Sequence, residues 1–241
     1  MRFYTSVNSV NDKILVRGFD NGKRFIEKVS YQPSLFMKCN VGDTTKYKDI
    51  YGNPVKKITF QGLQDAKDNC FQKSSREDYY GMTSFEYSYI SDNWIDEIEF
   101  DPKLVKKLYL DIEVSSDNGF PKPEEASEPV TAITISNGDM YFVFGLKDYK
   151  PHKEKIYYKK FNSEHELLEA FVKFWDGFDV DVVTGWNTKF FDIPYLVNRI
   201  KVLLGDKLTK KLSPFGIVRE RMVSRVPNKT EQTYTINLLR L

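Results

Sequence analysis

The sequence predicts an α/β (α+β) protein in two regions. Residues 1–104 read as a mostly-β domain, and residues 105–241 as a mixed sheet flanked by helices. Three observations predict this. Short alternating runs broken by Asn/Asp/Gly turns fill the first region. From Lys107 onward a β-hairpin pattern gives way to helix, strand, helix. The 241 residues are 41% hydrophobic and 29% charged, which suits one or two globular cores and excludes a disordered or fibrous chain.

In the first region the strand-like runs are Phe3–Val10, Lys13–Phe19 and Arg24–Tyr31. Asn11-Asp12 and Asp20-Asn21-Gly22 separate them, the second being the stronger hairpin signal. Tyr31-Gln32-Pro33-Ser34-Leu35-Phe36 leads into a polar loop, and the turn Tyr51-Gly52-Asn53-Pro54 leads into a strand over Val55–Phe60. A short helix is expected over Leu63–Lys73 and a further strand over Phe85–Ile90.

The second region opens with Lys107–Val114, a period-two run. It sets Leu108, Leu110, Ile112 and Val114 on one face and Tyr109, Asp111 and Glu113 on the other. Strands over Thr131–Ser136 and Met140–Leu146 are joined by Asn137-Gly138-Asp139, and a short strand over Lys155–Tyr158 follows. Ser163 and Glu166 fit a capping box, ahead of Leu167, Leu168, Phe171, Phe174, Trp175 and Phe178 at helical spacing. Val180–Trp186 reads as a short strand of the kind a parallel sheet buries. A second helix is expected from Ile193 to Leu204, with Pro194 in its first turn and Gly205 at its end. This order fits the start of a ribonuclease H-like fold, parts of which many α/β proteins share. In the tail, Ile217–Pro227 and Gln232–Leu241 read as two strands around Asn228-Lys229. The last residues, Leu239-Arg240-Leu241, form an apolar strand end with no polar exit, which another chain is expected to cover.

Charge is read locally, because 36 basic against 34 acidic residues leave a net of only +2. Two cysteines, Cys39 and Cys70, exclude a disulfide scaffold and the multi-cysteine zinc modules, and point to a reducing cytosol. His152 and His165 leave little room for a histidine-based metal site. No signal core opens the chain and no apolar run approaches membrane-spanning length.

Three carboxylates stand out. Asp111 and Glu113 point the same way from one strand. Such a pair is either a solvated strand face or, because like charges repel, a seat for a hard divalent cation such as Mg²⁺ or Mn²⁺. Asp192 precedes a helix, and its local pattern favours an N-cap. Its neighbours Trp186, Phe190, Phe191 and Tyr195 are either core residues or base-stacking platforms.

Leu110-Asp111-Ile112-Glu113, followed about 80 residues later by Thr184-Gly185-Trp186-Asn187 and Phe191-Asp192-Ile193-Pro194-Tyr195, resembles the first two exonuclease motifs of family B DNA polymerases. Tyr31–Phe36 and Thr45–Gly52 resemble the N-terminal domain of the T4-like phage members. The resemblance covers nearly the whole chain, and the front part only of such a polymerase. It implies a metal-dependent 3′-5′ proofreading exonuclease working on single-stranded 3′ ends and primer-template DNA. Asp111, Glu113 and Asp192 match its ligand positions in a two-metal site for Mg²⁺ (or Mn²⁺). Asn187 matches a position that serves to orient the strand. The loop Ser115–Pro121 follows the first motif, and by resemblance Phe120 stacks near the terminal bases; the alternative is a loop anchor on the core. The implied location is the cytoplasm of an infected host cell.

The third motif, Tyr-x-x-x-Asp, is missing, as are the polymerase-site motifs, so the exonuclease site is half built. The expectation is a split polymerase completed by a second polypeptide, or a truncated sequence. Residues 199–225 hold eight basic residues (Arg199, Lys201, Lys207, Lys210, Lys211, Arg219, Arg221 and Arg225) and two acidic ones. They read as a phosphate-contact surface or as an ordinary solvated face. By resemblance, the hairpin around Asn228-Lys229 separates primer from template, with Arg225 and Lys229 touching DNA. The competing reading is a non-catalytic DNA-binding or scaffold subunit of a replication complex.

Overall fold

The computed structural model describes residues 1–40, 42–70, 79–117, 119–224 and 233–239, with side chains described up to Glu220. It divides into two compact units, Met1–Leu104 and Val105–Leu241.

In the first unit β1 (Arg2–Val10), β2 (Lys13–Asp20) and β3 (Lys23–Val29) form an antiparallel meander. The turns lie where the sequence places them. Asn11 (φ 52°), Asn21 (φ 48°) and Gly22 (φ 77°) adopt the left-handed backbone that tight hairpins need. A second sheet has the order β5-β6-β4-β7, from β4 (Ser34–Lys38), β5 (Tyr47–Lys48), β6 (Pro54–Thr59) and β7 (Tyr79–Tyr80). Ile14, Val16, Leu35, Phe60, Leu63 and Phe85 are core residues shared by sheets and helices. Helix α1 (Leu63–Asp68) starts where expected, and the end of that expected helix lies outside the described residues.

The expected strand over Phe85–Ile90 is a helix, α2 (Phe85–Asn93). Phe85, Tyr87 and Tyr89 suggest a period of two, but only Phe85 and Tyr89, four apart, are buried, while Tyr87 is 62% exposed. Four-residue spacing lays both rings on one helical face.

The second unit is built on a five-stranded sheet of order β11-β10-β9-β8-β12. Its strands are β8 (Lys107–Val114), β9 (Val130–Ser136), β10 (Tyr141–Gly145), β11 (Ile156–Lys160) and β12 (Val182–Thr184). β8, β9 and β10 form an antiparallel meander, whereas β11 is parallel to β10 and β12 is parallel to β8. Helices α3 (Glu164–Phe178) and α4 (Asp192–Leu204) cover one face. Leu108, Leu110, Ile133 and Ile135 from the sheet meet Leu168, Phe171, Leu196 and Ile200 from the helices in one core. At the start of α3 the Ser163 hydroxyl accepts from the Glu166 amide at 3.3 Å. Glu166 accepts in return from the Asn162 amide, so the box closes one residue earlier than the standard pattern. Trp175 donates to the Leu212 carbonyl at 2.9 Å, beyond the short helix α5 (Asp206–Thr209).

One expectation for this sheet fails. Val180 and Asp181 are buried, but the strand that follows them is an edge with one described neighbour, and Val182 is 41% exposed. An apolar run of three residues is compatible with an edge because β12 is too short to offer a long unpaired backbone. In the tail, β13 (Val218–Ser224) and β14 (Thr233–Leu239) pair antiparallel from Val218↔Leu239 to Ser224↔Thr233. The turn residues between them lie outside the described residues. No helix among the described residues is long and apolar enough to cross a membrane.

Candidate active site

The alternation of β8 does the first part of the work. Leu108, Leu110 and Ile112 go inward, and Asp111 and Glu113 stand exposed on the open face of the sheet. β12 accompanies β8 only along Lys107–Tyr109 and then turns off at Gly185. A Cβ on Gly185 would lie 2.3 Å from the Leu110 carbonyl oxygen, so only glycine lets the chain run this close to β8. The next turn is tightened by Asn187, which takes φ 55° and accepts at its carbonyl from the amides of Phe190 and Phe191. That turn leads directly into α4.

Asp192 is the first residue of α4, one position inside the cap, which is Phe191. The N-cap reading is therefore corrected. Because β12 stops short, the Ile112 amide faces no strand of the described residues there, and it donates to Asp192 Oδ1 at 3.1 Å. A side chain thus takes the place of a strand at that amide. Asp192 is 3% exposed. Burial pushes its pKa up to about 6, and the charge of Asp111 pushes the same way, while hydrogen bonds from amides oppose them.

Asp111 and Asp192 are therefore in electrostatic contact, and Glu113 lies two residues further along the same face of β8. No group of three or more His, Cys, Asp or Glu side chains among the described residues is close enough to hold a metal ion. The sequence-derived trio is gathered on two adjoining elements without forming a closed ligand cage.

Aromatic side chains border this edge. Phe120 is 84% exposed, which fits poorly with a buried loop anchor, and its ring centroid lies 5.7 Å from that of Phe191. Phe191 continues to Tyr195 at 5.7 Å. Trp186 is 93% exposed. Lys189 sits over the Phe190 ring at 5.4 Å. Asn187 is exposed at the turn.

The basic stretch is largely committed elsewhere. Arg199 forms a bidentate pair with Glu164 at 2.8 and 2.6 Å, both side chains mostly buried. Lys201 pairs with Glu220, Lys210 with Asp206 and Lys211 with Asp176. Lys207 is exposed, and Arg219 is half-buried in β13. Arg221 lies in β13 with its side chain outside the described residues, as are Arg225 and Lys229 altogether. The reading of 199–225 as one phosphate-contact surface is corrected at Arg199, which neutralises a carboxylate inside the fold.

Sequence reasoning missed Glu164, Asn198 and the role of Arg199 in tying α4 to the segment after β8. A pair 35 residues apart leaves no periodic trace, so no local pattern reveals it.

The description "DNA polymerase family B, exonuclease domain" belongs to a family model that matches residues 56–239. The DNA-directed DNA polymerase of Escherichia phage RB69 is 34% identical over 95% of this chain, which covers 29% of that protein. For the DNA-directed DNA polymerase of Enterobacteria phage T4 the figures are 32%, 95% and 28%. The DNA polymerase catalytic subunit of Human herpesvirus 8 type P (isolate GK18) is 25% identical over 84% of this chain. The chain thus spans less than a third of the length of these curated relatives. Its match runs through both motif segments, so the carboxylates on β8 and the carboxylate that opens α4 sit in a shared framework, and the chain belongs to DNA polymerase family B as a T4-like exonuclease region.

Proposed function

We propose that the second unit carries the metal-dependent 3′-5′ proofreading exonuclease site of a phage family B DNA polymerase, with Asp111, Glu113 and Asp192 as its carboxylates. The observation that carries this reading is Asp192: buried, held by the Ile112 amide, and in electrostatic contact with Asp111. A carboxylate kept in such a place against a second negative charge favours a nearby cation. Asp192 lies beyond the carboxyl end of β12, where it meets the part of β8 that bears Asp111 and Glu113.

The donor set fits Mg²⁺ or Mn²⁺. It is all oxygen, and Mg²⁺ is commonly bound by one or two carboxylates together with substrate phosphates and water, so a closed protein cage is not required. Asp111, Glu113 and Asp192 would hold the ions. When bound, the metal pair supplies an activated water and charge stabilisation at the scissile phosphate. The chain's own residues do the rest. Ile112 fixes the orientation of Asp192, Asn187 at its strained turn orients the strand, and Phe120 and Trp186 offer ring faces to unpaired bases. Arg219, Arg221, Arg225 and Lys229 are the phosphate contacts of this reading. The third-motif Tyr and Asp, absent from this sequence, come from residues outside it, in the same or a second polypeptide. Such an enzyme works on single-stranded 3′ ends and primer-template DNA in the cytoplasm of the infected host cell.

The test follows loss of 3′ nucleotides from a labelled single strand with Mg²⁺ or Mn²⁺, using this chain beside its Asp111→Ala/Glu113→Ala variant. The assay is repeated in the assembled polymerase. Cleavage by wild type and none by the variant is expected in the assembled enzyme. Equal cleavage by both removes the catalytic assignment. The lack of a three-ligand group among the described residues favours one second reading, a DNA-binding or scaffold subunit that never cleaves, which predicts strand binding without turnover.

A further inference from the structure

The segment between β8 and β9 carries Phe120 outward, and its returning limb is fastened to one helix. Asn198 donates to the Pro123 carbonyl at 2.8 Å. Arg199 Nη1 donates to the carbonyls of Ala126 and Ser127, each at 3.1 Å. The Tyr195 hydroxyl donates to the Glu128 carbonyl at 2.7 Å and accepts from the Glu128 amide at 3.0 Å. Glu164 Oε1 accepts from the Val130 amide at 2.7 Å while its carboxylate grips Arg199. Ala126 is buried at φ 41°, a backbone region that alanine rarely occupies and that persists only where surroundings over-determine it.

The helix providing Tyr195, Asn198 and Arg199 begins with Asp192, which holds β8 through Ile112. β8, the segment and α4 thus form a closed circuit. The rings of Phe120, Phe191 and Tyr195 follow one another at 5.7 Å steps, from the exposed Phe120 to the buried Tyr195.

We propose that Tyr195, Asn198, Arg199 and Glu164 are positioning residues that clamp the segment after β8 to α4 and so register the exposed Phe120 ring against Asp192. The inference rests on the exonuclease reading for its purpose, since the terminal base must meet an aromatic face while its phosphate meets the carboxylates. It rests on geometry alone for the clamp. A surface loop of this kind usually supports itself; one held by five polar contacts from a single helix is fixed to that helix's position.

The test uses the whole chain, wild type beside Tyr195→Phe, which removes one hydroxyl, and Arg199→Lys, which keeps charge but loses the fork. Amide hydrogen exchange of residues 119–130 is read first. Both variants are expected to speed it by about fivefold or more, since each loses at least one hydrogen bond to the segment, with exchange in β8 and α3 unchanged. Binding of a single strand ending in 3′-terminal 2-aminopurine is then read in EDTA, by quenching of its fluorescence. Both variants are expected to bind the end about tenfold more weakly, as misplaced contact groups do. Phe120→Ala is expected to match that loss without changing exchange at 123–130. Unchanged exchange in both variants overturns the clamp. Faster exchange with unchanged end binding overturns the positioning role. A wild-type chain that leaves the strand unbound, while exchange still responds to Tyr195→Phe, removes the exonuclease reading and upholds the clamp.

Discussion

In the three-stranded sheet of the first unit, β1 meets β2 across Asn11 and β2 meets β3 across Asn21-Gly22, each of these strands pairing with the next in the chain. In the second, β12 lies beside β8 after a long excursion through three strands and a helix, and Asp192 reaches an amide 80 positions back. Sequential pairing yields a scaffold whose surface is a by-product of its hairpins. Distant pairing brings separate segments to one sheet edge, and that is where Asp192 comes within electrostatic reach of Asp111. Local closure is set by turn residues; distant closure depends on side chains and on close backbone approach.

The largest expected effect separates chemistry from folding in the second unit. Asp111→Ala with Glu113→Ala should lower 3′ cleavage by the assembled enzyme on the order of a thousandfold, as loss of electrostatic stabilisation does. Because both residues are exposed, urea unfolding of the chain should change by only about 0.5 kcal/mol. A large loss of stability would mean the open face is structural. Next comes the close approach. Gly185→Val forces atoms into the Leu110 carbonyl and should cost about 3 kcal/mol. Gly22→Ala at the hairpin (φ 77°) should cost about 1 kcal/mol. Equal losses in urea titrations would erase the distinction between the two kinds of closure.

A pH series sharpens the comparison further. The pKa of Asp192 is raised to about 6 from an ordinary value of 3.8. The native state therefore holds its proton when the unfolded chain has lost it, and folding is penalised as pH rises from about 4 to 6. In metal-free buffer, Asp192→Asn should stabilise the chain by about 2 kcal/mol at pH 8, with the gain fading to nothing near pH 4. A gain independent of pH would mean the carboxylate bears no burial cost. The smallest effect tests α2: Tyr87→Ala, on the exposed helical face, should shift stability by no more than about 0.5 kcal/mol by thermal melting.

Most of the scaffold was legible in the sequence because its signals are local. The hairpin turns at Asn11, Asn21-Gly22 and Asn137-Gly138, the capped start of α3 and the alternation of β8 each rest on a few adjacent residues. The aromatic triplet Phe85, Tyr87 and Tyr89 misled because three rings two apart mimic a strand, and tertiary burial chose the helix. β12 misled because an apolar composition gives no count of neighbours. At the site, the motif segments identified Asp111, Glu113 and Asp192 as candidates, but the relation between Asp192 and Ile112 is not written in either motif. In the sequence Arg199 is one of a run of basic residues, and only folding shows that its charge faces Glu164.

The hydrogen bond between Asp192 and Ile112 has a consequence for the protein before it is fully folded. Lys107–Val114 is an alternating, β-prone segment, and beyond Tyr109 one of its edges has no strand beside it among the described residues. An amide left bare on such an edge invites another chain to add a strand. The docked carboxylate covers that amide with a group that no incoming strand can pair with. While α4 is undocked that amide is bare, so the seating of Asp192 closes a point at which the strand of another chain could add.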